Sequence, residues 1–188
     1  MTGIPTLQTA RLILRAQRPA DTETLIAAFA DDDFARFITR EKRGLDRIEA
    51  WRLVALGAGS WAAKGFGQWI AEERATGLAV GRIGPWEPEG WPDFEIAWSV
   101  FPPHQGKGYA VEAAAAAIIW AHETLGRDHV IHLIDPRNKA SERVALALGA
   151  AYSRTWTVPT GETVPVWTTR WEKFMETAAY RNYTAAGA

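Results

Sequence analysis

The 188-residue chain contains no cysteine. That excludes disulfides, zinc-thiolate centres and a cysteine nucleophile, and it suits a reducing cytoplasm, the expected location. Charge of either sign is not in excess: 21 Lys and Arg oppose 22 Asp and Glu, for a net charge of −1. No basic field therefore argues for nucleic acid as a partner. Long apolar runs are missing as well. The longest, Ala113 to Ala121, is far below the roughly 18–20 residues of a membrane span, so no membrane association is expected. The first residues, Met1 to Thr6, have neither the basic start nor the apolar segment of a secretory signal. Internal repeats and linker-like stretches are absent too, which leaves one expected domain over residues 1–188. Aromatic residues, by contrast, are plentiful, with ten tryptophans. Each is expected to serve in core packing or to line a pocket.

One stretch organises the rest. From Asp93 to Val100, Phe94, Ile96, Trp98 and Val100 alternate with Glu95, Ala97 and Ser99, the period of a strand. Pro102 and Pro103 end it, because proline cannot donate to a ladder. Gln105-Gly106-Lys107-Gly108-Tyr109-Ala110 follows and runs into an alanine-rich segment of helical character. A glycine-bearing turn that opens a helix leaves several backbone N–H groups unpaired and pointing one way, which makes an anion site, most often for phosphate. The spacing excludes two phosphate motifs. A P-loop requires Ser or Thr after the Gly-Lys pair, and Gly108 stands there. A dinucleotide fingerprint requires a third small residue where Val111 stands.

The pattern Gln-x-x-Gly-x-Ala at Gln105, Gly108 and Ala110 resembles the acetyl-coenzyme A pyrophosphate loop of the GNAT N-acetyltransferase superfamily. The longer run from Glu95 to Ala113, and Thr-x-Arg-Leu-x-Leu-Arg at Thr9 to Arg15, are similar to the branch that acetylates ribosomal-protein N-termini and to its small-molecule relatives. The resemblance implies an α+β fold: a mixed, mostly antiparallel central sheet flanked by helices, with a splayed pair of parallel strands in its middle. It also implies acetyl-coenzyme A as co-substrate, no metal, and a peptide or small-molecule amine as acceptor, in a monomer or homodimer. The alternative within the same fold is a sensor that binds an acyl-coenzyme A and transfers nothing.

The residues in chain order agree with that plan. Leu7–Arg15 reads as a first strand, and Asp21 caps a short helix that carries Leu25, Ile26 and Phe29 and stops at Asp31–Asp33. That acidic run is a solvated helix end or an attraction for a cationic amine. Asp46-x-x-Glu49 is a capping box that opens a second helix to about Lys64, with Ile48, Trp51 and Ala55 on one face and a kink or a break expected at Gly57 and Gly59. Residues 67–74 and 78–84 form a hairpin about Ala75-Thr76-Gly77. Tyr109–Leu125 is a helix stopped by Gly126, Asp128–Ile134 a strand, and Asn138–Gly149 a capped helix. Two closing strands flank Pro159-Thr160-Gly161, and the tail after Met175 reads as a short helix that frays into Thr184–Ala188.

Roles follow from the resemblance and from the chemistry of acyl transfer. Gln105, Gly106, Lys107, Gly108, Tyr109 and Ala110 would hold the pyrophosphate. Trp98 and Val100 would flank the pantetheine, with the Val100 N–H polarising the thioester carbonyl. Glu95 is the candidate general base. Asn138 would bond the pantetheine and Ser141 would protonate the leaving sulfur, although the same pair also reads as a helix cap. Tyr109 and Tyr152 are rival acids. His132 reads as a satisfied packing histidine, and Glu112 as structural. Trp51, Trp61, Trp69, Trp86 and Trp91 are expected around the acceptor mouth, where aromatic faces suit an ammonium.

Overall fold

The computed structural model describes residues 3–39, 41–158 and 161–186. Eight strands form one sheet in the order β1-β2-β3-β4-β5-β6-β8-β7. They are β1 (Leu7–Gln8), β2 (Leu12–Arg15), β3 (Trp69–Glu73), β4 (Ala79–Trp86), β5 (Glu95–Val100), β6 (His129–Leu133), β7 (Ala151–Thr157) and β8 (Thr163–Arg170). Every adjacent pair is antiparallel except β5 and β6, which are parallel. The helices are α1 (Thr22–Ala30), α2 (Asp32–Ala35), α3 (Arg47–Lys64), α4 (Tyr109–Leu125), α5 (Lys139–Ala147), α6 (Trp171–Met175) and α7 (Ala178–Ala186). This is the expected α+β architecture. None of the helices is long and apolar enough, among the described residues, to cross a membrane.

Strand alternation assigns the two faces. Trp69 and Ala71 join Ile83, Ile96 and the Ala113–Ala117 run of α4 in one core. Ile70, between them, turns to the opposite face and joins Leu25, Ile26, Phe29, Phe34 and Val54 beneath α1 and α3. Both sides of β3 are therefore buried, which is why it reads as a continuous apolar run. The small alanine side chains let α4 lie close on the sheet.

Four expectations are corrected. The first strand is two, because Thr9 turns the chain and its hydroxyl receives the Leu12 N–H at 2.9 Å. Helix α3 is uninterrupted from Arg47 to Lys64, with no break at Gly57 or Gly59; Asp46 accepts from the Ile48 and Glu49 N–H groups and Gly65 closes the far end at φ 75°. Its buried stripe is Ala50, Val54 and Gly57, whereas Ile48 and Trp51 face outward at 63% and 56% exposure. Gly57 has to be the buried residue because its missing Cβ would stand 2.7 Å from the Arg82 guanidinium. The tail forms the expected helix, α7, but it runs on through Thr184 to Ala186 where fraying was expected, with Tyr180 and Tyr183 packed on the main core. In the closing turn, Pro159 and Thr160 lie outside the described residues; β7 and β8 pair on either side of it.

Candidate active site

The splay between β5 and β6 starts at one residue pair, Glu95 with Ile131. There the Ile131 N–H reaches the Phe94 carbonyl at 3.0 Å. One step on, side chains replace the ladder. The Leu133 N–H donates to Glu95 Oε1 at 2.9 Å, and His132 Nδ1–H donates to the Ile96 carbonyl at 2.8 Å. Toward its other end β5 has no partner on that side. The Phe101 N–H bonds the Val80 carbonyl, so by alternation the polar groups of Trp98 and Val100 face the gap, not β4.

Glu95 sits at the closed end of the gap, 6% exposed. Its second oxygen accepts from Trp91 Nε1 at 2.7 Å. Burial pushes the carboxyl up to about 7, and the Leu133 and Trp91 donors only partly restrain it. His132 is buried as well. Its Nδ1–H goes to a carbonyl and its Nε2 accepts from the Thr169 hydroxyl at 3.0 Å; burial drives it down to about 4, so it stays neutral. It is the satisfied packing histidine anticipated.

At the open end, the turn Pro102–His104 leads to Gln105, whose side-chain amide donates to the Val100 carbonyl at 3.0 Å. Gly106 and Gly108 take φ of 74° and 80°, a backbone open to glycine and strained for other residues. Gly108 is the N-cap of α4 and offers it no side-chain cap. The first-turn N–H groups of a 17-residue helix thus remain for an anion.

The loop is braced from a distance by Arg11, which donates to the Lys107 carbonyl at 2.9 Å, pairs with Glu112 at 2.7 Å and lies over the Tyr109 ring at 4.8 Å. Glu112 also accepts from the Thr9 hydroxyl and the Arg11 N–H, in keeping with its structural reading. Sequence reasoning missed Arg11 as a brace. The only signal was the Thr-x-Arg pattern, since no local spacing connects residue 11 to residue 112.

On the far wall, Asn138 caps α5 by accepting the Ser141 N–H at 3.1 Å. The Ser141 hydroxyl in turn accepts from Trp98 Nε1 at 3.2 Å, which leaves its own proton free to donate.

A groove of about 850 Å³ connects these parts. Trp98, Val100, Gln105, Gly106, Gly108, Tyr109, Ala110, Asn138 and Ser141 all line it; Lys107 and Glu95 do not. Its opposite wall is the α1–α2 segment, with Asp31, Asp33, Phe34 and Phe37. His104 lines it too and carries a buried Nδ1 with no partner. An orphaned imidazole nitrogen, uncapped helix amides and a strand edge open to hydrogen bonding together fit an extended phosphorylated co-substrate such as acetyl-coenzyme A.

The rival acids point elsewhere. The Tyr109 hydroxyl donates to Glu73, a bond that raises the phenol, and the exposed Tyr152 pairs with Thr155 on β7. None of the five tryptophans expected at the mouth lines the groove, although Trp91 bonds Glu95. Trp61, Trp69 and Trp120 pack edge-on in the core, with the first two indoles bonded to backbone carbonyls. Trp51 is exposed, Trp86 lies beside Arg82, and Trp91 packs on Trp156. The aromatic groove residues are Phe34, Phe37, Trp98 and Tyr109.

Comparison with known proteins agrees with this geometry. The family described as "Acetyltransferase (GNAT) domain" matches residues 11–151. YkkB of Bacillus subtilis, an uncharacterized protein, is 33% identical over 159 residues, covering 81% of this chain and 91% of its own. YoaA of the same organism, an uncharacterized N-acetyltransferase, is 29% identical over 147 residues, covering 77% and 82%. Among solved structures, an acetyltransferase from Agrobacterium tumefaciens superposes with a TM-score of 0.79 at 28% identity, covering 89% of this chain and 95% of that one. The GNAT fold supports acyl transfer from acetyl-coenzyme A, and this chain belongs to the GNAT acetyltransferase family.

Proposed function

We propose that the protein transfers an acetyl group from acetyl-coenzyme A to a primary amine, a peptide α-amine or a small-molecule amine, by direct attack in a ternary complex. The observation that carries this reading is the continuity of one groove, from Gln105, Gly106, Gly108 and Ala110, past Trp98 and Val100, to Ser141, with Glu95 buried behind it where β5 and β6 begin to part. The co-substrate supplies an activated thioester when bound; the chain's residues do the rest.

Uncapped amides of the α4 N-terminus and the Gly106–Gly108 backbone hold the pyrophosphate. The N–H of Val100, directed into the gap, donates to the carbonyl oxygen as negative charge develops there. Glu95, poised at about 7, takes the proton of the incoming ammonium directly or through water. The Ser141 hydroxyl, held by Trp98, gives a proton to the departing sulfur, and the Asn138 amide orients the pantetheine. Lys107, outside the groove lining, acts through the field of its charge on the phosphates.

The test is an acceptor screen. The protein is incubated with acetyl-coenzyme A and a panel of amines, thiol release is followed, and products are read by mass for the acetyl increment of about 42 Da. The expected result is acetylation of at least one amine. Saturable coenzyme A binding without turnover on any amine would replace this reading with an acyl-coenzyme A sensor.

A further inference from the structure

Beneath α1 and α3, the sheet carries an arginine with nothing to pair with. Ile70, Arg82 and Ser99 stand opposite one another across β3, β4 and β5, on the face that holds Phe29, Val54 and Ile70. Arg82 is 4% exposed. Its Nε and Nη1 are sealed from solvent without a hydrogen-bond partner, and burial alone lowers it to about 10, with no carboxylate close enough to oppose the shift. The Phe29 and Trp86 rings lie 5.0 and 5.8 Å from the guanidinium. Their faces attract the charge but accept none of its N–H bonds in the plane of the group.

The other buried arginine among the described residues shows how this fold treats a structural one. Arg15, on β2, is gripped by Asp21 at 2.7 and 2.8 Å and by Glu72 at 2.5 Å. Arg82 has no such pair. A second orphan lies on the same face: Gln68, two residues before Ile70, has a buried Oε1 without a donor. An unpartnered donor and an unpartnered acceptor thus flank Ile70, and leaving such groups unmatched is costly. Arg82 sits close to the groove. Ser99, the cross-strand neighbour of Arg82, lines it, and so does Phe34, whose ring packs 5.8 Å from that of Phe29. The Phe29–Phe34 pair is what separates the guanidinium from the acceptor wall.

We propose that Arg82 is the carboxylate-binding residue of the acceptor site, and that the preferred acceptor is a small amine that also carries a carboxylate, an amino acid being the simplest. One guanidinium matches one carboxylate in charge and in planar shape; a phosphate dianion would demand a second cation, and Arg15, which shares this face through Ile70, is already neutralised by Asp21 and Glu72. Gln68 Oε1 completes the site as an acceptor for a ligand N–H. Entry requires the Phe29 and Phe34 rings to part. The proposal rests on the acetyl-transfer reading for its chemistry, yet its binding component can be tested separately.

The probes are the protein amino acids and, for each, its carboxamide, which differs only in the carboxylate. Wild-type protein is expected to melt at a higher temperature with some of the acids and not with their amides, and to acetylate those acids with kcat/KM at least tenfold above the amides. Arg82→Met should melt no lower than wild type, since it loses no hydrogen-bond or ion-pair partner and sheds a buried charge held only by ring faces, should keep its melting shift with coenzyme A, and should treat acid and amide within twofold of each other. Arg82→Lys, which retains the charge without the planar fork, should favour the acid about tenfold less than wild type does, and it serves if the Met variant does not fold. Equal treatment of acid and amide by wild type overturns the proposal, and so does a lower melting temperature of Arg82→Met with the preference unchanged. Arg82-dependent melting shifts without acetylation would uphold the carboxylate site and sink the transferase reading. Acetylation confined to amines outside the panel would do the reverse.

Discussion

Two buried titratable side chains one residue apart in the β5–β6 register, Glu95 and His132, set the acid–base behaviour of the gap. Glu95 is raised from 4.5 to about 7, so the folded state binds its proton more tightly than the unfolded chain. Its contribution to stability is complete below about 4.5 and is lost as pH rises through 7. His132 is lowered from 6.5 to about 4, and its contribution is present above 6.5 and lost as pH falls through 4. Each is worth on the order of 3 kcal/mol across its window, with opposite sign between about pH 4.5 and 6.5. Denaturant titrations at several pH values should therefore show that Glu95→Gln adds a rising slope in that window relative to wild type, because the histidine is no longer opposed. In catalysis the same substitution should lower kcat by about 10²–10⁴ and remove the rise of kcat/KM through pH 7. A rate and a profile like those of wild type would dismiss Glu95 as the base. Ser141→Ala should slow turnover by about a hundredfold, the lower end of the range for positioned proton transfer, while leaving coenzyme A affinity in place; a loss of affinity with kcat untouched would make Ser141 a binding residue instead of an acid.

At the scale of the element, α3 and the loop before α4 make their own demands. The two α3 glycines look alike in sequence and are not alike in space. Gly59→Ala meets nothing within 4 Å and should stabilise by about 0.5–1 kcal/mol, the helix-propensity gain. Gly57→Ala places a methyl 2.7 Å from Arg82 Nη1, on a guanidinium wedged between rings, and should destabilise. Thermal melts of the pair decide both signs. Gly108→Ala forces a Cβ onto φ 80°, a strain of about 1–2 kcal/mol, and should weaken coenzyme A binding about tenfold. What was legible here was local. The loop motif, the Asn138 and Asp46 caps, the Gly126 stop and the period-two run of β5 each lie within a few residues of sequence. What was not legible was distant in sequence: Arg11 bracing Glu112 from 101 residues away, the guanidinium that fixes which face of α3 turns inward, and the packing that keeps α7 helical. Ten tryptophans offered no internal sign of which three would interlock in the core, because indole burial is decided by partners on other elements.

At the scale of the molecule, the sheet divides the work. Its α4 face is a dry core of alanine and aromatic side chains, while the face beneath α1 and α3 holds polar groups within apolar packing, Arg82, Gln68, Glu95 and Ser99 among them. The parallel pair in the middle opens between these two faces, so a co-substrate entering from the α4 N-terminus would meet an acceptor arriving from the α1–α2 side. The whole account depends on that opening being a coenzyme A site. Calorimetric titration of the protein with acetyl-coenzyme A tests it most directly. The account predicts one saturable site, matched by free coenzyme A and weakened by Gly108→Ala. No heat and no saturable association with either compound would contradict it.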